Sequence, residues 1–267
     1  MKLVRARAVA LRQYYLVRGS PVRVLPLVGW VILDVTLWGL ISRYLGTFSA
    51  AGLSFVPKLL GAVVLWDFLM RAMQGFTVAF LEDVWSRNFL NVFASPVSIT
   101  EYLIGLTATT VVTSSIGLGA MIALAAIAFG FSMASLGILA APLVLVLFVF
   151  GVSLGIAAAG MVLLLGPAGE WLVWPIPAVL APFAGVYYPV STLPAWMQPV
   201  SRAIPPSYIF ESLRALVAGQ RPAADDVAMA VGLAILWLLG ACGLFTAIFR
   251  HVVRTGLIAR YSAETVN

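Results

Sequence analysis

Charge is scarce in this chain: Asp, Glu, Lys and Arg make up 10% of its 267 residues, while 62% are hydrophobic. Soluble domains carry about 25% charged and about 45–50% apolar residues, so the composition excludes a water-facing globular enzyme. The deficit is steepest in the middle, where Glu170 is the only Asp, Glu, Lys, Arg or His between Tyr102 and Ser201. Such a stretch cannot present a conventional soluble surface. Cysteine and histidine are scarcer still. One Cys, Cys242, excludes a disulfide framework, a CxxC redox pair and a cysteine-rich metal site within the chain. One His, His251, excludes HExxH chemistry, and neither Lys2 nor Lys58 follows a GxxxxG pattern, so there is no Walker A loop. The net charge of +6 comes from basic residues spread over the flanks of apolar segments rather than gathered in a patch, which argues against nucleic-acid binding.

What remains is apolar length. With mean hydropathy +1.05, the chain reads as an all-α integral membrane protein. About 20 predominantly apolar residues, at about 1.5 Å each, cross a hydrocarbon core about 30 Å thick. Six candidate spans meet that requirement: 22–44, 56–80, 100–129, 136–165, 170–188 and 227–249. The break at GFSMAS, residues 130–135, is forced because one uninterrupted helix would overshoot the bilayer about twofold. Pro175, Pro177 and Pro182 predict a kinked or discontinuous fifth span. Asp225 or Asp226, in RPAADD, is placed to cap the sixth. Counting Lys and Arg in the short flanks puts both termini in the cytoplasm of a multi-pass protein of the cell membrane. Arg residues interrupt the first 23 positions and leave no compact apolar region of the signal-peptide kind.

Three segments are not spans. Residues 1–20 mix basic and apolar residues over about five helical turns. Lys2, Arg5, Arg12 and Gln13 fall on one face and Arg7 and Arg18 nearly opposite, as in an interfacial helix on anionic lipid whose Arg stems snorkel, or a basic leader that only fixes orientation. Between spans two and three, LEDVWSRNFLNVFASPVSITEY predicts a short amphipathic helix from Glu82 to about Ala94, closed by Pro96. Trp85, Phe89 and Val92 form its apolar stripe, and Glu82 and Asp83 suit the positive end of its dipole. Held between two spans, such a helix is a lever that a partner can push; the plainer alternative is a stretch lying on the membrane. The third segment, from Pro189 to Gly219, holds Pro189, Pro194, Pro199, Pro205 and Pro206 among apolar pieces of about ten residues, each too short to span. It fits re-entrant or interfacial helices on the outer side, packed over a mouth where protein or water satisfies irregular backbone.

Two of these segments carry a resemblance. RNFLNVFASPVSITEYLIG has a Ser-Pro step, with Ser95, Pro96 and Glu101 in place, after the second span. GVYYPVSTLPAWMQPVSRAIPPSYIFESLRAL matches a second signature through Gly185, Tyr188, Pro189, Leu193, Pro194, Trp196, Pro205, Glu211 and Arg214. In both the chain resembles the membrane subunit of type-2 ABC exporters, the permease family that includes drug, polysaccharide and teichoic-acid exporters. Span count, length and terminal placement extend the resemblance over nearly the whole chain.

The resemblance implies a homodimer, or a pseudo-dimer with a related permease, bound to two copies of a separate ATPase subunit that would hold ATP and Mg. This chain would have no cofactor and no catalytic or metal residue of its own. The amino-terminal helix and the 82–95 segment would meet the ATPase, the latter as a coupling helix with Glu82, Asp83, Arg87, Asn88, Phe89, Ser95 and Pro96 as its contacts. Residues 189–219 would dip back beside the exit as an extracellular gate, with Tyr187, Tyr188, Pro189, Leu193, Pro194, Trp196, Pro205, Glu211 and Arg214 building it. The cargo would be an amphipathic, lipid-like or drug-like molecule, or a lipid-linked glycan.

Inside the spans, a charge costs about 2.5–3.5 kcal/mol on insertion scales, so Asp34, Asp67 and Arg71 must be paired or watered. Asp67 and Arg71 are four apart with the acid first and share a helix face that Gln74 continues. The strip either faces a pore or dimer seam, or fixes helix packing. Gly151 and Gly155 form GxxxG in the fourth span, a close contact with a helix of the same chain or of a second copy. The rival class is an ion-gradient-driven secondary transporter. It would show an inverted repeat, and spans one to three, with their acids, do not resemble the nearly charge-free spans four to six.

Overall fold

The computed structural model describes residues 3–19, 21–48, 55–86, 89–133 and 137–258. Among them there is helix and no strand. In chain order the helices are α1 (Leu3–Arg18), α2 (Pro21–Phe48), α3 (Phe55–Trp85), α4 (Phe89–Ala94), α5 (Ile99–Phe129), α6 (Ala140–Leu165), α7 (Glu170–Val173), α8 (Ile176–Ala184), α9 (Met197–Arg202), α10 (Pro205–Val217) and α11 (Ala224–Arg254). Among the described residues four stretches are long and apolar enough to cross a membrane: Leu59–Trp85, Ile99–Phe129, Ala140–Leu165 and Ala224–Arg254.

Packing ranks those four. In α3 and α6, 67% and 72% of the apolar window is buried inside the chain, against 22% in α5 and 17% in α11. Hence α3 and α6 form the centre, α11 packs on α6, and α5 and α2 flank α3. Gly151 and Gly155 explain the closeness of the central pair. A Cβ at Gly151 would stand 2.7 Å from the Leu69 carbonyl oxygen, and one at Gly155 2.8 Å from that of Met73. The GxxxG step therefore seats α6 against α3 of the same chain, where dispersion between close backbones replaces side-chain packing.

Local chemistry fixes the ends. Ser98 and Glu101 close a reciprocal capping box at the start of α5. Its far end stops at Gly130, whose φ of 67° is left-handed and whose N–H bonds Ala126 while Phe131 N–H bonds Ala125. The prolines do what their chemistry requires in the fifth apolar segment: α7 ends at Val173, Pro175 and Pro177 flank the start of α8, and the segment is discontinuous. At α11 the cap is Ala223, with no side-chain bond; Asp225 and Asp226 lie inside the first turn and act on the helix dipole instead of capping it.

The boundary between α3 and α4 also differs from the sequence expectation. Glu82 to Trp85 are the last turn of α3, and the short separate helix is Phe89–Ala94. The physical reason is burial: Leu81, Asp83 and Val84 all face protein, so the helix of the span runs on until its partners end.

Candidate functional site

At one end of the bundle α1, the last turn of α3, α4, the first turn of α5 and the end of α11 converge. Asp83 is fully buried there. Its carboxylate is ion-paired with Arg12 of α1 and accepts a 2.7 Å hydrogen bond from the Tyr102 hydroxyl of α5. Gln13 donates to the Ala79 carbonyl at 2.9 Å, and Arg5 lies 3.7 Å from Glu101, itself buried. Burial lowers the Arg12 guanidinium from its ordinary value, a shift that the nearby Tyr102 and Glu82 oppose. Of Lys2, Arg5, Arg12 and Gln13, read from sequence as one helix face, Lys2 lies outside the described residues and the other three meet polar groups of the protein, while Arg7 and Arg18 on the other side stay exposed.

The short helix α4 rests on aromatic rings. Phe93 packs against Phe249 of α11 at 4.6 Å, Phe89 at 5.0 Å and Tyr102 at 5.1 Å between ring centroids, and Phe89 in turn meets Phe80 at 5.6 Å. These contacts join α4 to α11 and α5 through one ring, Phe93. Of the residues expected to face an ATPase, Asp83 and Phe89 are fully buried and brace this junction from inside. Glu82 is half-buried, Ser95 and Pro96 are exposed on the turn after α4, and Arg87 and Asn88 lie outside the described residues. Trp85 is exposed and donates its indole N–H to Glu170 at 3.0 Å, which ties the end of α3 to α7 and gives the lone charge of the central stretch its partner.

Half-way along the bundle lies the charged strip. Asp34 of α2 and Asp67 and Arg71 of α3 act on one another electrostatically. The Arg71 side chain runs over Gly117 of α5, where a Cβ would stand 3.0 Å from its Cδ. Among the described residues Asp67 Oδ2 is buried without a hydrogen-bond partner. Gln74 is half-buried one turn further along α3. Trp38, one turn beyond Asp34, stacks on Tyr187 with centroids 4.9 Å apart and planes at 15°, and Tyr187 feels the charge of both carboxylates.

Tyr187 belongs to the third assembly, the turn between α8 and α9 and its seat on α10. Gly185 ends α8 with φ 65°, a left-handed conformation natural to glycine. Its carbonyl accepts a 2.8 Å bond from Arg214 Nη1, whose Nε and Nη2 hold Glu211 at 3.2 and 3.0 Å. Glu211 also accepts the Val190 N–H at 2.8 Å. Burial alone would raise the Glu211 carboxyl; the bonds from Arg214 and Val190, with the Arg214 charge, outweigh it and hold the group below the usual carboxylate range. Ser201 bonds the Phe183 carbonyl at 2.6 Å, Tyr188 that of Pro182 at 2.9 Å, and Trp237 of α11 that of Ala203 at 3.0 Å. Leu193 and Pro205 are buried beneath this network, whereas Pro189, Pro194 and Trp196 are exposed. A cleft of about 230 Å³ opens between this turn and α3, lined by Leu59, Ala62, Tyr187, Phe210, Leu213 and Arg214 among others.

Among the described residues, those picked out in sequence thus gather at three places, and the structure adds Arg12, Tyr102, Phe93, Phe249 and Trp38 to them. Only Arg12 had a signal, its place on the polar face of α1; the others are aromatic residues that look like ordinary apolar positions until their neighbours are known. No protein-family model matches the chain, and comparison with curated proteins gives no match.

Proposed function

We propose that the chain is the membrane-spanning permease subunit of an ATP-binding-cassette exporter, moving an amphipathic, lipid-like, drug-like or lipid-linked glycan cargo out across the cytoplasmic membrane. In this reading α2 and the broken pair α7 and α8 join the four long helices to make six spans, both termini are cytoplasmic, α1 lies at the inner interface, and α9 and α10 dip back from the outer side. Two copies, or one with a related permease, pair around the path, and each rests on a separate ATPase that binds ATP and Mg.

One observation carries the reading: α4 is a short helix interposed between two long ones and locked by Phe93 to both α5 and α11. A push on its exposed side reaches three long helices at once, which is what a device driven from outside the bundle requires. Closure of the ATPases on ATP would shift α4, and the rigid helices would pass that shift to the far end, where Trp237 of α11 holds the turn before α10. Alternation between two packings then opens and closes the path, with no covalent chemistry on the cargo. The intramembrane acids Asp34 and Asp67 also suit the rival, an ion-gradient-driven secondary transporter. Purification from the native membrane in mild detergent separates the two. The exporter reading expects an ATPase subunit to accompany the chain at equal stoichiometry; a chain that purifies without one and hydrolyses no ATP in any fraction contradicts it.

A further inference from the structure

Three features built from separate segments meet at Tyr187. The first is an excess of acidic groups: among the described residues Asp34 and Asp67 bring two carboxyl groups to a place where Arg71 brings one guanidinium, and Asp67 Oδ2 is buried without a hydrogen-bond partner. The second is a pair of stacked rings, Trp38 and Tyr187, within the field of both carboxylates; Tyr187 remains 40% exposed, so its ring is open to a neighbour. The third is the adjoining cleft, whose lining is apolar except for Tyr187 and Arg214, the latter neutralised by Glu211 at 3.0 Å.

A ligand that satisfies all three has a single positive charge and an apolar body. The charge pairs with the acids and lies against electron-rich ring faces, which attract cations and favour Trp and Tyr. The body fills the cleft, where apolar walls reward it. Phosphate-bearing lipids and other anions meet two acidic groups against one guanidinium and are disfavoured, and a neutral glycan brings no charge to the acids. We infer that the chain binds a monovalent amphipathic organic cation, an alkylated or aromatic ammonium or phosphonium, between α2, α3 and the turn that carries Tyr187. The inference rests on reading the strip as part of the cargo path and narrows the cargo class within it.

The probes are tetraphenylphosphonium and tetraphenylborate, two ions of nearly the same shape and opposite charge. Binding is measured on the full chain in lipid nanodiscs, with lipid-only discs subtracted and without any ATPase. The expected result is saturable binding of the phosphonium and none of the borate, with Asp67→Asn and Asp34→Asn each weakening the phosphonium by about tenfold or more and Asp67→Glu retaining most of the affinity. Asp34 lies on α2, which flanks the central helix pair and is not part of it, and it is only half-buried, so D34N stays informative if D67N fails to fold. Saturable borate binding of equal strength, no saturable phosphonium binding, or unchanged affinity in a D34N protein with normal thermal unfolding overturns the inference. Such a failure leaves the exporter reading standing, because that reading is decided by the accompanying ATPase and not by cation affinity.

Discussion

Arg12 of α1 forms an ion pair with Asp83, a fully buried carboxylate in the last turn of α3 that also accepts the Tyr102 hydroxyl. Removing one partner of a buried pair strands the other charge, which costs more than the pair itself contributes. Arg12→Ala is expected to lower stability by about 2–3 kcal/mol, and Tyr102→Phe by about 1–2 kcal/mol. The double replacement Arg12→Met with Asp83→Asn should recover much of the Arg12→Ala loss. Thermal unfolding of the chain in nanodiscs measures all three, and an Arg12→Ala protein as stable as wild type removes the clamp from the account.

Glu211 predicts a pH dependence. Its carboxyl is held below the usual range in the folded chain, so the stabilisation it supplies is complete above the unfolded value and is lost as pH falls through the folded one. Acidification should therefore destabilise wild type more than Glu211→Gln, with the two unfolding curves converging at the acid end. The same midpoint difference at every pH would refute a titrating Glu211.

The glycines give a steric test. Gly155→Ala pushes a methyl to 2.8 Å from the Met73 carbonyl oxygen and should cost about 1–3 kcal/mol as α6 and α3 part. Gly119→Ala, in α5 with open space around its Cβ, should be neutral or stabilising by about 0.4–1 kcal/mol. At Gly185 the φ of 65° adds backbone strain, and Ala there should cost about 1–2 kcal/mol and loosen the turn that Arg214 holds. Equal effects at 155 and 119 would deny that the GxxxG step joins these two helices.

Phe93 tests the transmission. Each of its ring contacts contributes about 0.5–1.5 kcal/mol beyond area burial, and they link α4 to α5 and α11. In the complex that the exporter reading proposes, Phe93→Ala is expected to leave ATPase association and ATP hydrolysis intact while less cargo moves per ATP, and Phe93→Leu should fall between. The sequence reading makes the same demand of Arg87→Glu, and normal transport by that variant at normal expression removes Arg87 from the contact.

Much of the fold was legible because span length and proline chemistry are local. Apolar runs gave the long helices, and Pro175 and Pro177 gave the break between α7 and α8. The end of α3 was not legible: Glu82 and Asp83 look like a helix start by charge, yet Asp83 is buried by partners on α1 and α5 that no local rule supplies. In the same way the pairing of Glu211 with Arg214 follows from their spacing, whereas the grip of Arg214 on Gly185 depends on how α10 packs on α8. The strip of Asp34, Asp67 and Arg71 was found because charge inside an apolar run is conspicuous; Trp38 and Tyr187 were invisible as a pair because aromatic residues are ordinary there.

Uphill accumulation in sealed vesicles bears most directly on the central claim, that the driving force comes from a separate ATPase. A panel of labelled lipophilic cations, lipid analogues and lipid-linked sugars is offered to vesicles holding the chain alone under an imposed proton or sodium gradient, and to vesicles holding the chain with its ATPase and MgATP. The account predicts accumulation in the second set and none in the first. Concentration of any of these solutes by the chain alone, driven by the ion gradient and without nucleotide, would contradict it.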